Sequence, residues 1–417
     1  MVLAFETVAQ NCPHAEAEAA LRQAAEQKMA TFELTRDCAM IPELVAMLRR
    51  HGALVRSIEQ DCKDVQVMRS DAPRMPIETE LRQFCEAGPL TPQGPAGRYP
   101  RVAAAARCAS GRQHFREHQM TARKLSGVIA AVATPVGEDG SPDIARATKL
   151  ARFLLDNGCN GLNVLGTTGE ATSFSLEERK RVMNAYREAG LPLDRLMVGT
   201  GAAATADAVA LTRHAAELGF AGALLLPPFY YKGVPDDGLV AYVDTVVQAS
   251  AAKPIPIYLY HYPAQSGLHW HVALVKRLLE KFGSRIVGLK DSSGDMAYAR
   301  EAAAISKSFD VFPSTEAVLI DAKNGAFAGC ISATANLNPD LCQRAWSNGD
   351  QTSLDAAVTI RKLFDGKALV PGVKALLAHI HGDPALGRVQ PPLAAFPAAD
   401  RAAVVAGYNQ VRAKRVA

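Results

Sequence analysis

No apolar run in the 417-residue sequence approaches the roughly 18 residues a membrane helix needs, so a membrane-spanning function is not expected. Residues 1–20 carry Glu6, Glu16 and Glu18 and lack a basic start followed by an apolar core, which argues against a signal or transit peptide. A cytoplasmic protein is the expectation. Charge of one sign is also scarce: the formal net charge is only +4, too small by itself to imply a nucleic-acid or membrane-surface partner. Of eight cysteines, five (Cys12, Cys38, Cys62, Cys85 and Cys108) fall in the first 110 residues, leaving Cys159, Cys330 and Cys342. None are spaced as metal-ligand pairs, and reduced, mostly buried thiols are expected.

What is abundant is punctuation. Residues 88–101 are dense in proline and glycine, which forbids helix or central strand there. Before that break, Ala15–Ala30 and Ile41–Gln60 show helical spacing. After it, Arg98, Arg101, Arg107, Arg112, Arg116, Arg123 and Lys124 form a basic stretch with only two interleaved aromatics, Tyr99 and Phe115, read as a solvated connector rather than a nucleic-acid site.

From Gly127 a regular alternation begins. Short β-type runs occur at Gly127–Pro135, Gly161–Leu165, Arg195–Gly199, Ala221–Leu225, Pro256–Tyr260, Arg285–Leu289, Asp310–Phe312 and Gly329–Ser332. Amphipathic helical stretches separate them at Ala145–Asn157, Ser175–Glu188, Ala204–Leu218, Asp237–Ala251, His271–Lys281, Ala297–Ser308 and Ala317–Asn324. This order predicts an α/β fold, a closed parallel (β/α)8 TIM barrel. A doubly wound open sheet would carry a glycine-rich phosphate turn after its first strand, where Ala133-Thr134-Pro135-Val136 stands instead. The domain reading is residues 1–119 as an unassigned extension, 120–345 as the barrel, and 346–417 as a helical region packed on it.

Active sites of such barrels lie at the C-terminal strand ends. There the sequence places Gly166-Thr167-Thr168-Gly169-Glu170, then Phe229-Tyr230-Tyr231, Tyr260-His261-Tyr262-Pro263, and Lys290. Strand alternation puts Ile286, Gly288 and Lys290 on one face. A lysine facing an enclosed interior loses stabilisation of its ammonium form and becomes a nucleophile toward carbonyls. The hydroxyls of Thr167, Thr168, Tyr230 and Tyr260 are expected to converge on that amine. The turn at Gly166 offers N–H groups and hydroxyls to a small carboxylate, or is a plain threonine-capped turn. Tyr260 suits proton shuttling, or is an aromatic filler. His269-Trp270-His271 lacks a converging carboxylate and is read as a helix entrance, so no metal is expected.

Residues from about Gly127 to Pro397 resemble the pyruvate-dependent aldolase superfamily of dihydrodipicolinate synthase and N-acetylneuraminate lyase. The resemblance rests on Gly166–Glu170, Tyr260–Pro263 and Gly288-Leu289-Lys290-Asp291, with Gly201-Ala202 and Gly329–Asn336 in support. It implies that Lys290 forms an imine with pyruvate or another 2-oxo acid and that Tyr260 moves the protons. It further implies that Thr167 relays between Tyr260 and a Tyr230 supplied by a neighbouring subunit, with Tyr231 competing for that match. Thr168 would grip the pyruvate carboxylate and Ile331 line its pocket. No cofactor is implied, and the partners are small-molecule substrates within a homotetramer, with no nucleic acid and no membrane.

Two positions depart from the synthase pattern. Gln265 stands where an arginine holds the aldehyde's carboxylate, and Ser314 stands where the synthase has glycine. A lyase or aldolase is therefore expected, with lysine-pathway synthase activity in doubt. A sugar-acid dehydratase using the same imine and a non-catalytic 2-oxo-acid-binding barrel are the alternatives. Residues 1–119, with 15 acidic and 15 basic side chains, show none of the superfamily's motifs. Met120–Gly127 looks like a start of this family, so translation from near Met120 is one expectation and a helical regulatory domain the other.

Overall fold

The computed structural model describes residues 31–35, 53–58 and 64–69 as strand backbone, and residues 125–414. The chain divides into two units, Met1–Gln113 and His114–Ala417.

In the first unit, β1 (Thr31–Thr35), β2 (Ala53–Ile58) and β3 (Asp64–Arg69) form an antiparallel sheet in the order β1-β3-β2. The helical expectation for Ile41–Gln60 is thus wrong for its last part. Val55, Ile58, Val65 and Val67 are β-branched residues, which lose rotamer freedom in a helix and sit comfortably on a pleated strand. Register pairs Ala53 with Arg69 and Ile58 with Asp64. Ala15–Ala30, the earlier part of 41–60 and the basic connector lie outside the described residues.

The second unit alternates strand and helix: β4 (Gly127–Ala131), α1 (Ile144–Asp156), β5 (Gly161–Val164), α2 (Leu176–Glu188), β6 (Leu196–Gly199), α3 (Thr205–Leu218), β7 (Gly222–Leu225), α4 (Asp236–Ala249), β8 (Ile257–His261), α5 (Val272–Phe282), β9 (Ile286–Asp291), α6 (Met296–Ala303), β10 (Asp310–Pro313), α7 (Leu319–Lys323), β11 (Gly329–Ser332) and α8 (Pro339–Asn348). Then α9 (Gln351–Lys362), α10 (Leu369–His381) and α11 (Ala398–Ala413) follow. The sheet runs β10-β9-β8-β7-β6-β5-β4-β11 with every pairing parallel. Ala328 N–H donates to the Val311 carbonyl at 3.0 Å, joining its two ends. This is the expected (β/α)8 barrel.

Local chemistry sets the boundaries. α2 starts on a capping box, in which Ser175 and Glu178 each satisfy the other's backbone N–H. The first strand stops at Ala131 rather than running on to Pro135, because the Ala133 N–H leaves the ladder and donates to the Asn336 side-chain oxygen at 3.2 Å. α6 ends at Ala303, short of the expected Ser308.

Side-chain layers explain how the barrel positions its site. In an eight-strand barrel with a shear of about eight, level residues on neighbouring strands are offset by one from hydrogen-bond register. Applied to the observed pairings, this stacks three levels. Ile129, Met197, Tyr258 and Phe312 form the lowest, all buried in the inner cluster. Asn163, Leu224, Lys290 and Ile331 come next, from β5, β7, β9 and β11. Ala131, Gly199, Tyr260 and Ser314 lie above them. Gly222 and Gly288 flank the lowest level; a Cβ on either would meet the Tyr258 ring at 2.7 or 2.8 Å. In the top level, Gly199 lets the Leu165 carbonyl pack where a Cβ would sit, which brings the turn after β5 close in above Lys290.

One orientation differs from the sequence expectation. β9 is bulged against β8, with register slipping between Ile257 and Tyr258. Ile286 consequently packs in the outer cluster with Leu289, and Val287 packs against the inner one. An extra residue on one strand reverses the alternation before it, so only Gly288 and Lys290 share the inward face.

Candidate active site

Lys290 enters the barrel from the penultimate position of β9 and is 3% exposed. Burial alone lowers its pKa from 10.5 to about 7, since removal of water penalises the ammonium and not the amine. Register pairs it with Tyr260 on β8, and Nζ lies 4.3 Å from the centre of that ring. Capture of a carbonyl needs the free amine. The rate of pyruvate trapping should therefore rise about tenfold per pH unit below neutrality and level off above pH 7. Initial rates of borohydride trapping across that range check this; a midpoint near the ordinary lysine value of 10.5 would contradict it.

Tyr260 is also buried, which pushes its phenol above the ordinary value, with Ser292 and Thr167 opposing through hydrogen bonds. Its hydroxyl lies 3.2 Å from Thr167 Oγ1, and Ser292 Oγ donates to it at 3.5 Å. Ser292 in turn contacts the Ser314 hydroxyl. A chain of hydroxyls thus crosses the mouth from the turn after β5 to the end of β10. Trp270, fully buried, holds β8 in place by donating Nε1–H to the Tyr260 carbonyl at 3.2 Å and its backbone N–H to His261 Nδ1 at 3.1 Å. Desolvation lowers the His261 pKa to about 4, so the ring is neutral and can accept.

The turn after β5 is the most constrained backbone in the site. Leu165 and Glu170, with φ of 52° and 53°, bracket Gly166–Gly169 in the left-handed region, which costs roughly 1–3 kcal/mol per residue. Glu170 is held by a buried ion pair with Lys374 of α10, whose ammonium also donates to the Thr134 carbonyl at 3.0 Å. The second Glu170 oxygen accepts from the Gln390 N–H at 2.6 Å. Burial lowers the Lys374 pKa, and Glu170 opposes that shift. The C-terminal helices therefore brace the loop that carries Thr167 and Thr168. Thr168 is buried and Thr167 exposed at the barrel mouth.

Other residues singled out from the sequence lie as follows. Ile331 sits beside Lys290 in the same level. Gln265 is exposed and hydrogen-bonds the Tyr262 phenol. Tyr230 and Tyr231 are 75% and 71% exposed and touch each other edge to face on the loop after β7; within one chain, Tyr230 does not join the hydroxyls around Lys290. His271 caps α5, accepting from Leu274 N–H, and pairs with Asp236 at 3.0 Å. Among the described residues, no three His, Cys, Asp or Glu side chains are grouped to hold a metal. Cys159, Cys330 and Cys342 are buried free thiols whose pKa values burial raises. The sequence reading missed Ser292, although it lies two residues past Lys290 at the strand end, and Glu170 as the brace of the threonine turn.

Comparison with known proteins gives a consistent answer. Residues 124–395 match the dihydrodipicolinate synthetase family. An uncharacterized DapA-like lyase of Chloroflexus aurantiacus is 31% identical over 293 residues, 69% of this chain and 97% of that one. A 4-hydroxy-tetrahydrodipicolinate synthase of Acidiphilium cryptum is 33% identical over 228 residues, 54% of this chain and 76% of that one. The crystal structure of dihydrodipicolinate synthase from Agrobacterium tumefaciens superposes with a TM-score of 0.63 at 29% identity, covering 68% of this chain and 99% of that one. The chain belongs to the dihydrodipicolinate synthetase family, whose members are lyases and aldolases that act on small molecules.

Proposed function

We propose that this protein is a Schiff-base aldolase acting on pyruvate or another 2-oxo acid. The observation that carries the reading is the buried Lys290 amine, brought to a pKa of about 7 beneath the Tyr260–Thr167 hydroxyl pair. The Nζ lone pair attacks the ketone carbon, and the ketone oxygen takes a proton to give a carbinolamine. That hydroxyl leaves as water on a second proton, leaving an iminium. Loss of a C3 proton, or cleavage of the C3–C4 bond, places the electron pair on nitrogen as an enamine. The enamine adds to an aldehyde, or in the cleavage direction is protonated, and water releases the product. Tyr260 moves the protons, with Thr167 and Ser292 holding its hydroxyl; Thr168 and the turn's N–H groups take the carboxylate. The lysine is itself the electron sink, so the route calls on no metal or organic cofactor.

Tyr230 is assigned to a neighbouring subunit's site, and its exposure supports an assembly that covers it. A cytoplasmic homotetramer is proposed, with residues 120–345 as the catalytic unit and 346–417 as its brace. On the described residues, no helix is long and apolar enough to cross a membrane.

The neutral Gln265 speaks against an aldehyde bearing a second carboxylate. Replacing Gln265 by arginine should tighten use of such an aldehyde by about ten- to hundredfold, the worth of a charge-assisted hydrogen bond of roughly 1.5–3 kcal/mol. Comparing kcat/KM for aldehydes with and without the carboxylate checks this, and an equal change for both contradicts it. The reading as a whole is tested by assaying pyruvate release and consumption over a panel of 2-keto-3-deoxy sugar acids and aldehydes. Carbon–carbon cleavage identifies the aldolase and water loss alone the dehydratase. No turnover with retained 2-oxo-acid binding identifies the silent barrel.

A further inference from the structure

Asn163 lies in the middle of β5 between Leu162 and Val164, which both pack in the outer cluster. Its side chain therefore points into the barrel. It is fully buried, and neither Oδ1 nor Nδ2 has a hydrogen-bond partner among the described residues. Buried amides are ordinarily satisfied, and an orphaned one costs stability.

Its position says what it is for. Asn163 shares a level with Lys290, and β5 and β9 are four strands apart in an eight-strand order, so the two side chains face each other across the barrel. The other members of that level, Leu224 and Ile331, are apolar. The Asn163 amide also runs directly under the turn at Gly166, where a Cβ would sit 2.5 Å from Oδ1; only glycine permits that approach. Amide oxygen and nitrogen exchange places by a simple flip, so the N–H side can turn toward a ligand.

We propose that the Asn163 amide donates a hydrogen bond to the carboxylate of the bound 2-oxo acid, from the pocket floor beneath the Thr167–Thr168 turn. The inference rests on the Schiff-base reading for the identity of the ligand. A 2-oxo acid has two polar ends. The floor of the pocket supplies one polar partner for each: Lys290 for the ketone and Asn163 for the carboxylate.

The test compares the wild-type protein with Asn163→Leu, and with Asn163→Val as a second, smaller replacement. Calorimetric binding of pyruvate and half-saturation of borohydride trapping are measured on each, together with the thermal midpoint. Both variants should bind pyruvate about ten- to hundredfold more weakly, with a thermal midpoint equal to or above that of wild type. Trapping of hydroxyacetone, a ketone without a carboxylate, should be unchanged. Unchanged pyruvate affinity in either folded variant overturns the assignment, as does an equal loss for hydroxyacetone. If wild type binds pyruvate but never traps it, the Schiff-base reading falls. The calorimetric difference still decides the carboxylate contact.

Discussion

Replacing Lys290 by methionine should abolish pyruvate trapping, lower turnover by on the order of 10⁴-fold or more, and at the same time stabilise the protein. Methionine keeps the length and apolar stem of lysine without the amine. The stability gain follows from proton linkage. Lys290 titrates at about 7 in the folded chain and at 10.5 as an ordinary lysine, so between those values the unfolded chain holds more protons. Stability then rises with pH across that window, and the lysine's cost is largest at and below neutrality. At pH 7 that cost is on the order of 4 kcal/mol, which the variant should recover. Denaturant midpoints at pH 7 and near pH 10 check both sign and window: the variant's advantage should shrink as pH rises. A destabilised variant, or one that still traps pyruvate, would contradict the role given to the amine.

The second large effect lies outside the catalytic group. Replacing Lys374 by methionine leaves the Glu170 carboxylate buried without its cation, and should cost about 3–5 kcal/mol. Both side chains are fully buried, so solvent screening does little to soften the loss. Because Glu170 ends the strained turn that presents Thr167 and Thr168, pyruvate affinity should fall as well. Combining Lys374→Met with Glu170→Gln removes the lone charge and should restore most of the stability. Equilibrium unfolding of the single and double variants decides it; equal losses in both would show that packing, not charge, is what the pair supplies.

The chemistry-bearing strand ends were legible because each carries its own local signal. Short β-type runs, turn residues and a terminal lysine, tyrosine or threonine pair are all visible within a few residues of one another. Contacts that depend on register or on distant chain were not. Glu170 and Lys374 are 204 residues apart, and nothing near either announces the other. Asn163 reads as an unremarkable polar residue in a strand until the pairings of five strands place it level with Lys290. The bulge at β9 defeats simple alternation for Ile286, since one additional residue changes which face a strand presents. In β2, the apolar spacing of the 41–60 segment fits a helix, yet its β-branched residues pair with β3 instead. Tyr230 was assigned to a neighbouring subunit through the family resemblance, and its exposure in one chain is what such a residue would show.

The most direct measurement is borohydride reduction of the full-length protein in the presence of pyruvate, followed by peptide mapping. The expected result is a single adduct, of pyruvic acid's mass less one oxygen, on Lys290. An unmodified Lys290 under conditions where pyruvate is turned over, or an adduct on any other lysine, would contradict the covalent route.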